Sequence, residues 1–389
     1  MKKNINNFVL TLAYIYIGLI TTYYILSISR ISEEYNINVN IVVYCAIPFF
    51  VLFFFLRQTT VRELVIFIVM LLMGVISTAI TKQATVLLTM TEIICCFNVD
   101  IKQVARIMFW IELFFLIFNV VLSLIGVVSN EVIQYQRTFS LFGGLISRNA
   151  MGFSHYNGLG LVAFEISTLY ILGFNKFRQN YLFNVIGLTL FNLIIYVVSG
   201  DRTAFFSFML LIILISVHRN KRNGKKLCII ADLCLIVFPI LCTYGITVLN
   251  EKSPNVFNFI NNLFQTRPFY ILGYINNYGV NLFGNNIKGS LVGLWGNPNQ
   301  LVNNITLDSG FANLVITYGI LFTVVFILVM WSLVNKLEKL RKYNWIIYLI
   351  VICFFGLTEN VLTFFTYNLC FMMIPTLFMN DKRKYDREI

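Results

Sequence analysis

Charge is scarce in this chain. Only 12% of its 389 residues are Asp, Glu, Lys or Arg, while 58% are hydrophobic, more apolar surface than a soluble fold of this length can bury. Cysteine is missing from every polar segment. All eight (Cys45, Cys95, Cys96, Cys228, Cys234, Cys242, Cys353, Cys370) fall inside apolar runs without paired metal-ligand spacing. They read as packing residues and imply neither disulfides nor zinc. There is no Walker loop, no dinucleotide fingerprint and no obvious internal repeat, which argues against an ATP-driven transporter working from this chain alone. The net charge of +12 comes without a nucleic-acid-binding motif, so nucleic acid is not an expected partner. No cofactor or metal is called for.

What remains is hydrophobic. Apolar segments run over Phe8–Ile28, Val39–Leu56, Leu64–Ile80, Ala84–Val99, Val104–Val128 and Asn157–Phe174, then Tyr181–Ser199, Thr203–Val217, Leu227–Leu249, Gly310–Val334, Trp345–Leu357 and Val361–Met379. Most approach the ~20 residues a helix needs to cross about 30 Å of hydrocarbon. Ala84–Val99, Thr203–Val217 and Trp345–Leu357 are short for that task, so the count is eleven or twelve. A β-barrel would show ~10-residue alternating stretches, whereas these runs are continuously apolar. The predicted fold is an all-α polytopic membrane protein, residues 1–389 forming one membrane domain of about 12 helices. It carries one long extracytoplasmic loop, residues 250–309. The basic start followed by Phe8–Ile28 imitates a signal peptide, but the run is long and no small-residue cleavage site follows, so it reads as a retained first helix.

With the amino terminus in the cytoplasm, 21 of the 29 Lys and Arg fall on inner segments and eight outside: Arg30, Lys82, Arg137, Arg148, Arg202, Lys252, Arg267 and Lys288. That bias places both termini inside. Arginines kept on the depleted side are therefore notable, above all Arg137, Arg148, Arg202 and Arg267. A guanidinium fork suits phosphate oxygens, including those of a lipid headgroup; snorkelling or helix capping would account for any one of them alone, and Asp201 is placed to pair with Arg202. The long loop holds fourteen Asn, nine aromatics and five charged residues. Aromatic faces and amides together suit a carbohydrate surface, although Asn is plentiful throughout the chain.

These features resemble Wzy-type polysaccharide repeat-unit polymerases, which make capsule or O-antigen chains and are related to O-antigen ligases. The likeness rests on the topology and on Ser147-Arg148-Asn149 through Gly152-Phe153, His155, Asn157 and Gly160. It rests also on the turn Ser199-Gly200-Asp201-Arg202-Thr203-Ala204, the large loop, and Leu307-Asp308-Ser309-Gly310-Phe311. The resemblance implies pyrophosphate-binding roles for Arg202 and Arg267. His155 and Asn157 match a His-Pro-Asn motif in which Tyr156 replaces proline. Asp308 occupies the loop-exit position of an acidic residue or His, although Ser309 and Gly310 depart from the usual Asp-Asn-Ser pattern. The implied localisation is a bacterial cell membrane, and the implied partners are lipid-linked repeat units, membrane lipid, and chain-length regulator or assembly proteins.

The chemistry expected from that likeness moves a growing glycan from undecaprenyl pyrophosphate to the hydroxyl of an incoming lipid-linked repeat unit, with inversion implied by the family. The departing pyrophosphate needs cations, which arginines supply without metal. The hydroxyl needs a base, with Asp308 and His155 as rivals. A teichoic-type or O-antigen ligase would share the donor. A lipid-linked oligosaccharide flippase would instead use the acids inside the spans, Glu92, Glu112, Glu165 and Asp232, with Glu359 at the last outer turn. A structural reading gives each of these acids a hydrogen bond to a neighbouring helix.

Overall fold

The computed structural model describes residues 2–136, 145–219, 224–264, 266–287 and 307–379. The first half comprises α1 (Lys2–Ser27), α2 (Arg30–Glu34), α3 (Asn40–Leu56), α4 (Val61–Thr81), α5 (Thr85–Cys95) and α6 (Ile101–Leu124), followed by strands β1 (Val132–Gln136) and β2 (Leu145–Asn149). Then come α7 (Tyr156–Gly173), α8 (Lys176–Gln179), α9 (Tyr181–Ser199), α10 (Arg202–His218) and α11 (Lys225–Ile240), a π turn over Leu241–Gly245, and α12 (Ile246–Lys252). The remainder is α13 (Pro254–Leu263), α14 (Arg267–Tyr278), α15 (Gly310–Ile316), α16 (Gly319–Lys339), α17 (Tyr343–Phe355) and a 3-10 segment, Leu369–Leu377.

The chain is a helical membrane protein, but not a set of twelve full-length spans. Among the described residues, six helices are long and apolar enough to cross a bilayer, and four apolar ones are shorter. The difference lies in where the apolar residues point. Only 11% of α9's apolar window is buried, and Leu182, Phe183, Ile186, Leu190, Ile194 and Val197 face outward, as suits a helix set against lipid. By contrast α17 and α7 are buried almost all round. A helix apolar on every face belongs in the interior of a bundle, so its length need not match the bilayer. Helix α17 packs against α10 and α11, and α7 against α6, α9 and α10.

The expected last helix, Val361–Met379, is an irregular stretch leading into the 3-10 turn. Its side chains are apolar because protein surrounds them: Val361, Leu362, Phe365, Leu369 and Cys370 are all buried. Non-helical backbone at membrane depth requires partners from within the protein, and side chains provide them. Tyr348 donates to the Tyr367 carbonyl at 2.7 Å and accepts from Leu369 N–H at 3.2 Å. Thr89 donates to the Thr363 carbonyl at 2.8 Å and accepts from Phe365 N–H at 3.2 Å.

The expected span Gly310–Val334 is likewise broken, between α15 and α16. A middle segment of the long loop crosses that break: Asn285 N–H donates to the Thr317 carbonyl at 3.0 Å and Ile320 N–H to the Asn281 carbonyl at 3.1 Å. Gly284 (φ +92°) and Gly319 (φ +91°) touch backbone to backbone there, and a Cβ on either would overlap the other segment. Only glycine tolerates both the left-handed backbone and the approach. The long loop itself is largely helical through residue 278, with Pro254 and Pro268 in the first turns of α13 and α14. Residues 288–306 of it lie outside the described residues. A departure from an all-α fold is the antiparallel pair β1–β2, with Ile133 opposite Arg148.

Candidate active site

Several of the sequence candidates begin or precede helices. His155 caps α7, its Nδ1 accepting from the Asn157 N–H at 3.2 Å. Asp201 caps α10, its Oδ1 accepting from Thr203 and Ala204 N–H at 3.0 and 3.3 Å. The Asp201 carboxylate presses on Gly160 of α7, where a Cβ would overlap it, so the two caps are held side by side. Asp201 thus serves its own helix and is not simply the partner of Arg202. Ser309, not Asp308, caps α15, accepting from Ala312 N–H at 3.4 Å. That leaves the Asp308 carboxylate for other work.

Asp308 faces Arg267, with Oδ2 3.7 Å from Nε. The same guanidinium donates from Nη2 to Glu359 Oε1 at 2.9 Å, and Asn157 Nδ2 donates to that oxygen at 3.3 Å. The turn carrying Glu359 is fixed on α15, because Gly310 N–H donates to the carbonyls of Gly356 at 2.8 Å and Glu359 at 3.1 Å. Asn313 adds a bond from Nδ2 to Asn360 Oδ1 at 2.9 Å. The loop helix α14, the loop exit, the start of α7 and the turn after α17 therefore meet at one guanidinium.

Burial and this arginine set the charges of the group. Burial pushes Glu359 up to about 8, with Arg267 pulling the other way. Burial pushes Asp201 up to about 6, against the amides of Ala204 and Thr203 and the Arg267 charge. Burial, then Arg148 and Arg267, pull His155 down to about 4. Burial opposes the charge of Arg267, yet Glu359, Asp308 and Asp201 more than offset it and its pKa is raised. A neutral His155 whose Nδ1 accepts a backbone N–H carries its proton on Nε2, an atom that is buried and has no partner. It presents a donor, not a lone pair.

His155, Asn157, Asp308 and Glu359 line a cavity of about 770 Å³, within the size range of small-molecule sites. Tyr23, Tyr24, Phe364 and Tyr367 give it aromatic surface. A second charged group, Arg30, Glu33 and Glu131, also lines it, with Arg30 Nη1 3.4 Å from both Glu33 and Glu131. The wall is closed by backbone bonds from Arg30 N–H to the Gly152 carbonyl and from Ser154 N–H to the Ile28 carbonyl, each 2.9 Å.

Of the remaining candidates, Arg148 is buried with its guanidinium 4.3 Å from the centre of the Tyr156 ring. Its charge reaches His155, Asp201 and Glu359. Arg202 opens α10, half-buried, and is not among the residues lining the cavity. Arg137 lies outside the described residues. Glu359 is the residue sequence reasoning undervalued. Its only signal was a lone carboxylate at an outer turn, while its partner lies 92 positions away. Arg30 and Glu131 carried no signal beyond their side of the membrane. Comparison with family models, with curated proteins and with solved structures gives no match.

Proposed function

We propose that the protein is a polysaccharide polymerase of a bacterial cell membrane, with both termini cytoplasmic and the cavity on the outer face. It would transfer a growing glycan from undecaprenyl pyrophosphate to an incoming lipid-linked repeat unit. The observation that carries this reading is the grouping of Asp308, Glu359, Asn157 and His155 in the wall of a large cavity with aromatic lining, with Arg267 contacting both carboxylates. The acceptor hydroxyl oxygen attacks the anomeric carbon as the bond to pyrophosphate breaks, and the leaving group keeps the electron pair. Asp308 takes the hydroxyl proton. The His155 Nε2 proton and the Arg267 guanidinium stabilise the departing charge, Arg267 exchanging a carboxylate contact for a phosphate oxygen. Attack opposite the leaving group inverts the centre. The aromatic side chains and the Arg30–Glu131 group suit sugar faces and hydroxyls. An apolar cavity of about 320 Å³, lined by Met70, Met73, Phe322 and Phe326 among others, suits the branched isoprenoid chain.

The test is a reaction of purified protein with lipid-linked repeat unit. A ladder of longer glycans is the expected product. Glycan moved to a different acceptor would make the protein a ligase, and transbilayer movement of intact substrate without product would make it a flippase.

A further inference from the structure

Three carboxyl groups lie deep in the bundle, on consecutive helices and outside the site above. Glu92 of α5, Glu112 of α6 and Glu165 of α7 are at most 1% exposed. None of their carboxyl oxygens meets a hydrogen-bond partner. Distance along each helix from the cavity end gives their depth at 1.5 Å per residue. Glu92 is seven residues beyond Thr85, Glu165 nine beyond Tyr156, and Glu112 twelve before Leu124. These correspond to about 10, 14 and 18 Å, around the middle of a ~30 Å hydrocarbon layer.

Among the described residues, the titratable groups that sense their charge are tyrosines, cysteines and one another, none of them positive. Glu92 faces Tyr16 and Tyr24 of α1 and Cys95 and Cys96 of its own neighbourhood. Glu112 and Glu165 face one another, and both face Tyr348 of α17 and Tyr367. An ionised carboxylate in such surroundings is costly. Among the described residues no three His, Cys, Asp or Glu converge to hold a metal. The ligand that fits is the proton.

The surroundings also supply a route. Tyr24 and Tyr367 line the cavity, their ring centres 6.3 Å apart. The Tyr24 hydroxyl is buried without a partner and faces Glu92, while Tyr367 faces the other two acids. The irregular segment beside them adds two more buried atoms without partners, Thr366 Oγ1 and Asn368 Oδ1. Buried polar atoms left without partners are where ordered water sits. We propose that Glu92, Glu112 and Glu165 form an intramembrane proton-binding site that exchanges protons with the cavity past Tyr24 and Tyr367. Each exchange breaks a carboxyl O–H bond, passes the proton to water or a tyrosine oxygen, and replaces it from the cavity side.

The experiment is infrared spectroscopy of the full chain in lipid vesicles, and it does not depend on glycan chemistry. The carbonyl stretch of protonated carboxyl groups should be present at neutral pH and fall in steps in Glu92→Gln, Glu112→Gln and Glu165→Gln. In wild-type protein moved to heavy water the band should shift promptly, and Tyr24→Phe with Tyr367→Phe should slow that shift by roughly tenfold or more. Absence of the band at neutral pH would overturn the proposal. A band unshifted after hours would do so as well, since it marks sealed structural acids. So would exchange at the wild-type rate in the double Phe variant. If the Gln variants do not fold, the wild-type band and its exchange still decide.

Discussion

Arg267 and Glu359 stand 2.9 Å apart although 92 positions separate them in the chain. Their contact ties the first residue of α14, in the long loop, to the turn that follows the largely buried helix α17. Asn157 donates to the same carboxylate oxygen, so the start of α7 is held by the same atom. Removing Arg267 leaves two carboxyl groups, Asp308 and Glu359, without the partner they share.

Arg267→Ala should abolish chain extension and lower the melting temperature, because Asp308 and Glu359 both lose the guanidinium they contact. Arg267→Lys should restore stability better than activity, since an ammonium cannot form the two-pronged contact. Measured above about pH 8, where Glu359 ionises, adding Glu359→Gln to Arg267→Ala should recover part of the lost melting temperature and none of the glycan ladder. Arg202→Ala should reduce polymer less than Arg267→Ala does, because Arg267 is held by Asp308 and Glu359, both of the cavity wall. Equal losses would return Arg202 to the phosphate site.

Glu359 sets a pH dependence of stability. Its carboxyl is raised from 4.5 to about 8 in the folded protein, so the folded state holds a proton that the unfolded chain has released. Its contribution is fully present below the unfolded value and is lost as pH rises through the folded one. Asp201, raised from 3.8 to about 6, has the same sign over a lower window. The melting temperature should therefore fall as pH climbs from about 4.5 to about 8. Glu359→Gln should flatten the upper part of that slope; an unchanged slope would remove Glu359 as its source.

The sequence stated the membrane class and the end of the bundle that holds the polar residues, because both follow from local composition. His155, Asn157, Arg267 and Asp308 were visible as polar residues stranded beside apolar runs. Three things were not legible, and each depends on contacts between distant segments. An apolar run reads the same whether lipid or protein covers it, so Val361–Met379 looked like a span when Tyr348 and Thr89 hold it as irregular chain. The break before Gly319 required knowing that Gly284 lies against it. The importance of Glu359 required its pairing with Arg267.

His155 does two jobs that substitution can separate. Its Nδ1 caps α7, and its Nε2, buried without a hydrogen-bond partner, is the donor proposed for the reaction. His155→Asn keeps a good capping residue, whereas His155→Ala forfeits about 0.5–2 kcal/mol of helix stability. Both should lower kcat more than they raise KM, because the donor acts on charge that develops during reaction. With its pKa pulled down to about 4, His155 should contribute no step to the pH–rate profile above about pH 5. If His155→Asn turns over at the wild-type rate, the cap is its whole role.

Asp308 and Ser309 are neighbours with separable tasks, and that separation gives the sharpest test of the base. Ser309 Oγ receives the Ala312 N–H that opens α15, while Asp308 turns toward Arg267 and the cavity. Ser309→Ala should cost about 0.5–2 kcal/mol in thermal stability and leave glycan length near normal. Asp308→Asn should do the reverse. Asn keeps the shape and a hydrogen-bonding oxygen, so insertion and melting temperature should change little, but an amide does not accept a proton at neutral pH. Polymer should disappear while the lipid-linked substrate still binds. Asp308→Glu should restore a fraction of the rate, because the carboxylate returns about one bond length out of place. Wild-type ladders from Asp308→Asn would take Asp308 out of the chemistry and leave Glu359, on the same guanidinium, as the carboxylate to test next.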